Sequence, residues 1–274
     1  DVQRGGPSTG LPTKTEQSDL NQALYGRNGE CPMVVIAASS PSDCFHYAFM
    51  AGKIAMEHMT PVMLLSDGFI ANGSEPWKIP SMADYPAIVP PIVEPREGEE
   101  FLPYARNEKL ARGWAFPGKA GLQHRIGGLE KDHLRGTISH DPKNHQEMVT
   151  TRKRKVELVA EELPELKVFG AEEADVLVVG WGGTRGHLHS AVQQLQEEGK
   201  SVAHLHFNYI YPMQKGVADI LKRYKRIVVC ELNEGQFANY LRQQFTDVVI
   251  ESYGKTEGQP FTVIEIKEKV NSML

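Results

Sequence analysis

Cysteine is scarce. There are three, Cys31, Cys44 and Cys230, and no two are close in the chain. No pair has the spacing of a zinc site, an iron–sulfur cluster or a redox dithiol. An odd, sparse count also argues against a disulfide framework and for a reducing, cytoplasmic setting. Long apolar runs are missing too. None approaches the roughly 20 residues that span a bilayer, and no signal peptide is visible. Excess positive charge is absent: the net charge is −5, which argues against nucleic acid as a partner. No nucleophile elbow, phosphate loop or pair of catalytic carboxylates is recognisable, so no catalytic residue is nominated. No metal-ligand set is recognisable either. The first residue is Asp1 rather than methionine, which reads as a fragment with sequence missing upstream.

What is present is ample for a core: 41% of 274 residues are hydrophobic and 24% charged, ordinary for a globular protein. Apolar strands alternate with helices. "CPMVVIAAS", "TPVMLLSD", "ADVLVVGWG", "SVAHLHF" and "KRIVVCEL" read as buried strands. Their continuous hydrophobicity indicates parallel sheet covered on both faces, hence an α/β fold. "TKTEQSDLNQALYG" reads as a helix with Thr13 as N-cap and Gly26 at its end. "MQKGVADILKRY" reads as another helix. "DPKNHQEMVTTRKRKVELVAEEL" reads as a third, capped by Asp141 with Pro142 at the first helical position. Between them, from about residue 80, a Pro- and Gly-dense stretch lacks periodicity and reads as a long ordered connection. The expected division is 1–80, a connection and helix over 81–165, and a second α/β unit over 166–274.

Three constellations compete with plainer explanations. "GWGGTRG" (180–186) resembles a dinucleotide loop, but Arg185 occupies a required glycine and no acid follows the next strand. The glycines then serve a strand-to-helix turn. Ten histidines include His204 and His206 on one strand face, but none has ligand-type partners at zinc spacing. "RKRK" (152–155) is a solvated face balanced by Glu157, Glu161 and Glu162, or a patch for an acidic partner. Asp67, ending a strand, faces a ligand or caps the next turn.

The opening "DVQRGGPSTGLPT" is the most distinctive stretch. Glycine and proline at that density fix a loop. A guanidinium held there, Arg4, could grip a carboxylate or phosphate through paired hydrogen bonds, with Ser8, Thr9 and Thr13 nearby. The plainer reading is a capped loop with a solvated arginine.

"QRGGPSTGLPTKTEQSDL", "TPVMLLSDGFIANGSEPW", "HRIGGLEKD", "DPKNHQEMVTTRKRK", "ELNEGQFANYLR" and "GKTEGQPF", in that order, resemble the α subunit of the 2-oxoacid:ferredoxin oxidoreductases. The 2-oxoglutarate branch is the most similar. The resemblance implies part of a pyrimidine-type thiamine-diphosphate-binding domain followed by a transketolase C-terminal-like α/β domain. It places the opening inside the first of these, downstream of a Tyr-Pro-Ile-Thr-Pro-like motif and an activating glutamate that this sequence does not contain. It implies that Arg4 binds the 2-oxoacid carboxylate and Thr13 lines the same pocket, with Ser8 and Thr9 on the loop. It implies oxidative decarboxylation to acyl-CoA and CO2, with thiamine diphosphate and Mg2+ held mostly by a β subunit. Electrons would pass to an iron–sulfur cluster in a partner subunit and then to ferredoxin, within a dimer of heteromers. This chain alone would be inactive. A non-catalytic assembly module, or a transketolase- or dehydrogenase E1-like enzyme without ferredoxin, stays open.

Overall fold

The computed structural model describes residues 1–274. In chain order its strands are β1 (Val2–Gln3), β2 (Val34–Ala37), β3 (Val62–Asp67), β4 (Val168–Phe169), β5 (Val176–Trp181), β6 (Val202–Phe207), β7 (Tyr209–Tyr211), β8 (Arg226–Glu231) and β9 (Ile250–Gly254). Its helices are α1 (Leu20–Tyr25), α2 (Asp43–His58), α3 (Gly68–Asn72), α4 (Pro142–Glu157), α5 (Arg185–Glu197), α6 (Val217–Leu221), α7 (Gln236–Gln244) and α8 (Val263–Asn271).

Two sheets form, ordered β1-β3-β2-β7 and β4-β6-β5-β8-β9. Pairing is parallel except at one edge of each, where β7 runs against β2 and β4 against β6. All five apolar runs form strands, and four are largely buried; β3, expected buried, is half-buried, with only Leu65 and Asp67 fully covered. Residues 209–211, expected within the second unit, instead extend the first sheet: Tyr211 lies opposite Val35 and Tyr209 opposite Ile36.

The strand alternation assigns each side chain to a layer. Val35 and Ala37 of β2 join Leu177, Val179 and Trp181 of β5 in one 25-residue core to which both units contribute. Val34 and Ile36, on the opposite face of β2, pack with Ile54 of α2 and Val156 of α4. Val176 and Val178 face α5 and α8 in a third cluster. Residues 73–141 hold one short 3-10 turn, Met82–Asp84, and isolated bridges such as Arg106 with Arg112.

Two helices are shorter than their sequences suggest. The first begins at Leu20, not near Thr13, because tertiary pairing takes the preceding backbone. Thr15 N–H donates to Gly258 C=O at 3.2 Å and Gln17 N–H to Leu232 C=O at 2.8 Å. Gly26 does close it, donating to Gln22 C=O. The segment "MQKGVADILKRY" is helical only over Val217–Leu221, since Gly216 holds φ +82° and cannot continue a right-handed turn. Asp141 caps α4 as expected, its side chain accepting from Lys143 N–H at 2.8 Å.

Candidate functional site

The opening loop leaves β1, which is pinned beside β3 at the carboxyl end of the sheet. Gly5 N–H donates to Lys14 C=O at 3.1 Å, Leu11 N–H to Gly5 C=O at 2.8 Å, and Lys14 N–H to Leu11 C=O at 3.0 Å. These bonds close residues 5–14 into a compact turn. Gly10, at φ +46°, lies so near Gly5 that a Cβ would meet the Gly5 carbonyl oxygen at 2.1 Å. Ser8 is also in the left-handed region, φ +53°. The loop therefore has one shape, and its sequence permits few others.

Arg4 is exposed, with one N–H, from Nη2, donated to Ser8 C=O at 3.1 Å. Ser18 Oγ donates to the Arg4 carbonyl at 2.9 Å and fixes the backbone beneath the side chain. No carboxylate lies within 4.0 Å of the guanidinium. Arg4 and Ser8 line an open concavity of about 620 Å³ together with Gly6, Pro7, Glu16 and Asp19. Thr9 and Thr13 are exposed and lie outside that lining. So the structure brings two of the four nominated residues, Arg4 and Ser8, together at the concavity.

Beneath the loop is a buried polar frame that local sequence patterns do not announce. Gln17, fully buried, donates from Nε2 to Trp181 C=O at 2.7 Å and accepts from Leu232 N–H at 2.9 Å. Asn233 Nδ2 donates to Gln17 C=O at 2.8 Å. Asp67 is buried and accepts from Thr15 Oγ1 at 3.0 Å and from the Phe69 and Ile70 N–H groups at 2.8 and 3.0 Å. Burial raises its pKa, and hydrogen bonds from Ile70, Thr15, Phe69 and Gly183 oppose that rise. Asp67 is thus the cap of α3 and a tie to the loop, not a ligand-facing group. Glu231, also buried, accepts from Phe237 N–H and Ala238 N–H at 2.8 and 3.0 Å at the start of α7. Its pKa too is raised by burial against those bonds.

The glycines of 180–186 act as turn residues. Gly182 has φ +55°, and a Cβ on Gly183 would sit 2.1 Å from Asp67 Oδ2. Only glycine lets the Asp67 carboxylate approach that backbone. His189, His204 and His206 lie in a row and meet edge to face, with ring centroids 6.1 and 5.6 Å apart. No three His, Cys, Asp or Glu side chains are placed to hold a metal ion. The buried carboxylates Asp67 and Glu231 are both held by internal donors. No helix is long and apolar enough to cross a membrane.

Comparison with known proteins places this geometry. Residues 1–140 match the family model described as pyruvate flavodoxin/ferredoxin oxidoreductase, thiamine diphosphate-binding. Residues 174–266 match pyruvate:ferredoxin oxidoreductase core domain II. The chain is 48% identical over its whole length to 2-oxoglutarate oxidoreductase subunit KorA of Mycobacterium tuberculosis, covering 42% of that protein. It is 33% identical to the α subunit of 2-oxoacid:ferredoxin oxidoreductase 1 of Aeropyrum pernix, over 91% of this chain and 39% of the other. Among solved structures, 2-oxoglutarate:ferredoxin oxidoreductase from Magnetococcus marinus, with 2-oxoglutarate, coenzyme A and succinyl-CoA bound, superposes with a TM-score of 0.91. That match is at 32% identity and covers all of this chain and 48% of that one. The chain thus spans less than half the length of these relatives. It belongs to the 2-oxoacid:ferredoxin oxidoreductase α-subunit family.

Proposed function

We propose that this chain is the α-subunit portion of a cytoplasmic, thiamine-diphosphate-dependent 2-oxoglutarate:ferredoxin oxidoreductase. The whole enzyme would convert 2-oxoglutarate and coenzyme A to succinyl-CoA and CO2, passing electrons through an iron–sulfur cluster to ferredoxin. Thiamine diphosphate supplies the carbanion chemistry when bound. Its Mg2+ would be held by the β subunit, in an assembly of paired heteromers. The names of the relatives support this reading.

The observation that carries this chain's own role is the unpaired Arg4 fork on a conformationally fixed loop at the lip of a concavity. A 2-oxoacid presents a carboxylate beside its reacting carbonyl. A guanidinium with free N–H groups can seize that carboxylate and orient the ketone. Ser8 sets the direction of the fork through its carbonyl. Thr9 and Thr13 lie on the same loop, outside the residues that line this concavity.

The test is a steady-state assay of the complete subunit assembled with its β partner. Viologen reduction would be followed with thiamine diphosphate and coenzyme A, offering 2-oxoglutarate, pyruvate or 2-oxoisovalerate. Activity should be confined to 2-oxoglutarate. Arg4→Ala should raise its KM roughly ten- to hundredfold, the worth of a charged hydrogen-bonded pair, and leave thiamine diphosphate affinity within about twofold. An unchanged KM removes Arg4 from the site. No coenzyme A-dependent reduction with any substrate removes the oxidoreductase reading.

A further inference from the structure

A cavity of about 430 Å³ lies where four parts of the chain converge: the end of α1 with the loop after it, α4, β7 and α7. It shares no lining residue with the Arg4 concavity, and its volume is that of a small-molecule site. Val149, Lys153 and Glu157 stand four apart on α4, and Tyr240 and Gln244 four apart on α7. Each helix therefore presents one stripe to the cavity. Tyr211 enters from β7, held opposite Val35 of β2.

Arg27 fixes the remaining wall. Its Nη1 donates to Ala23 C=O at 2.8 Å, its Nη2 to Leu24 C=O at 3.0 Å and its Nε to Cys31 C=O at 3.1 Å. The guanidinium thus closes the C-terminus of α1, clamps the loop to Cys31, and is spent on backbone. Tyr25 lines the cavity as well, and its hydroxyl donates to Gln243 Oε1 at 3.1 Å, joining α1 to α7. The hydroxyls of Tyr211 and Tyr240 are different: among the tyrosines only Tyr25 and Tyr224 bond through theirs within the protein. Tyr240 is 5% exposed and still lines the cavity. Burial raises the pKa of both Tyr211 and Tyr240, and the Glu157 carboxylate adds to the rise at Tyr211, so both hydroxyls stay protonated.

Two carboxylates line the same space, Glu30 and Glu157. No cation lies within 4.0 Å of Glu30. Glu157 has only Lys153 and Arg154 of its own helix, at 3.9 and 3.8 Å. Glu161 and Glu162, which the sequence suggests share the balance of the "RKRK" stretch, pair with Lys215 and Lys109 instead. Glu157 is also the last residue of α4, the end at which a helix disfavours negative charge. Lys153, the one cation of the lining not spent on backbone, has a side chain 68% exposed. The cavity therefore offers two loosely held carboxylates, two unpartnered hydroxyls and three aromatic rings.

We propose that this cavity binds a small organic cation, an aliphatic amine in its ammonium form. An ammonium only donates, and it meets acceptors here: the Glu157 carboxylate and the hydroxyl oxygens of Tyr211 and Tyr240. Tyrosine rings attract a cation, and Leu24 and Val149 suit its carbon chain. Glu30 adds a second negative charge. An anionic ligand would meet both carboxylates and have one solvent-exposed lysine to hold it. The site stands independently of the assignment of Arg4 and of the reaction.

The complete protein would be titrated calorimetrically with putrescine at constant ionic strength, potassium chloride making up the balance. Wild type should bind saturably. Glu157→Gln should weaken binding about tenfold, the worth of one charged hydrogen bond, and Tyr240→Phe about threefold. Lys153→Gln should tighten it, because the cation that competes for Glu157 is gone. Alkylation of Cys31, exposed and in the same lining, should slow when putrescine is bound. Thermal unfolding without ligand checks that each variant folds. If Glu157→Gln does not, Glu30→Gln on the exposed loop carries the comparison, with a smaller loss in the same direction. The proposal is overturned by a wild type that gives no saturable heat, or by charge and hydroxyl variants that match it. Saturable binding of benzoate that Lys153→Gln weakens, with putrescine inert, would overturn it in favour of an anion site.

Discussion

Gly10 concentrates the logic of the opening loop in one atom. Its neighbours leave no room for a Cβ, and its φ of +46° suits glycine alone. Gly10→Ala should therefore cost about 2 kcal/mol or more, through strain and a backbone clash. A drop in Tm together with a raised KM for the 2-oxoacid is the expected signature. A variant with normal KM would mean that the loop shape does not set the Arg4 fork. At this scale the sequence was informative where chemistry is local. Arg4 stands out because glycines and prolines crowd around it, and Asp141 because it precedes a proline. Gln17 does not stand out. Its partners are Trp181 and Leu232, far away in the chain, and no short pattern records such a contact.

Among the elements, the strands were legible because burial on both faces leaves an unbroken apolar run. The helices were less so. α1 lost its first turn to tertiary pairing of Thr15 and Gln17, and α6 was cut short by Gly216. Strand β6 carries a different consequence. Burial, with His189 and Arg185 nearby, lowers His204 to about 3 from an ordinary 6.5. Burial, His204 and Arg185 hold His206 well below its usual value. Both rings are neutral in the folded protein. Unfolded, they take up protons below about 6.5, so the unfolded state binds more protons there. The stability they permit is present above pH 6.5 and is lost as the pH falls toward 3. By pH 5 the His204 ring costs about 2 kcal/mol relative to pH 8, and His206 acts in the same direction. Denaturant unfolding of wild type and His204→Gln at the two pH values should show a smaller acid loss in the variant. Parallel losses would place the sensitivity elsewhere.

At the scale of the whole molecule, the loop and the second unit are one structure. Gln17 links the opening segment to β5 and to the residue after β8, and the 25-residue core takes side chains from both units. Gln17→Ala would leave the Leu232 N–H buried without a partner and remove one of two bonds to the Trp181 carbonyl, which keeps Thr184 Oγ1 at 2.8 Å, a loss of about 1–3 kcal/mol. It should lower Tm and also weaken 2-oxoacid binding although Gln17 touches no substrate. A stable variant would mean that water or a shifted side chain replaces the link.

Strand β7 lies late in the chain yet completes the edge of the early sheet beside β2. Asn208, just before it, donates from Nδ2 to Ala37 C=O at 2.8 Å, and Ala37 N–H donates to Asn208 C=O at 2.7 Å. A gene split or a chimaera with its seam in the connection near residue 170 would therefore sever no peptide of the sheet and still unmake it. The front piece would present β2 as an open, sticky edge, and the back piece would carry an orphaned strand. Recombination that respects this molecule must pass beyond Tyr211, or must bring both pieces together so that the borrowed strand can be returned.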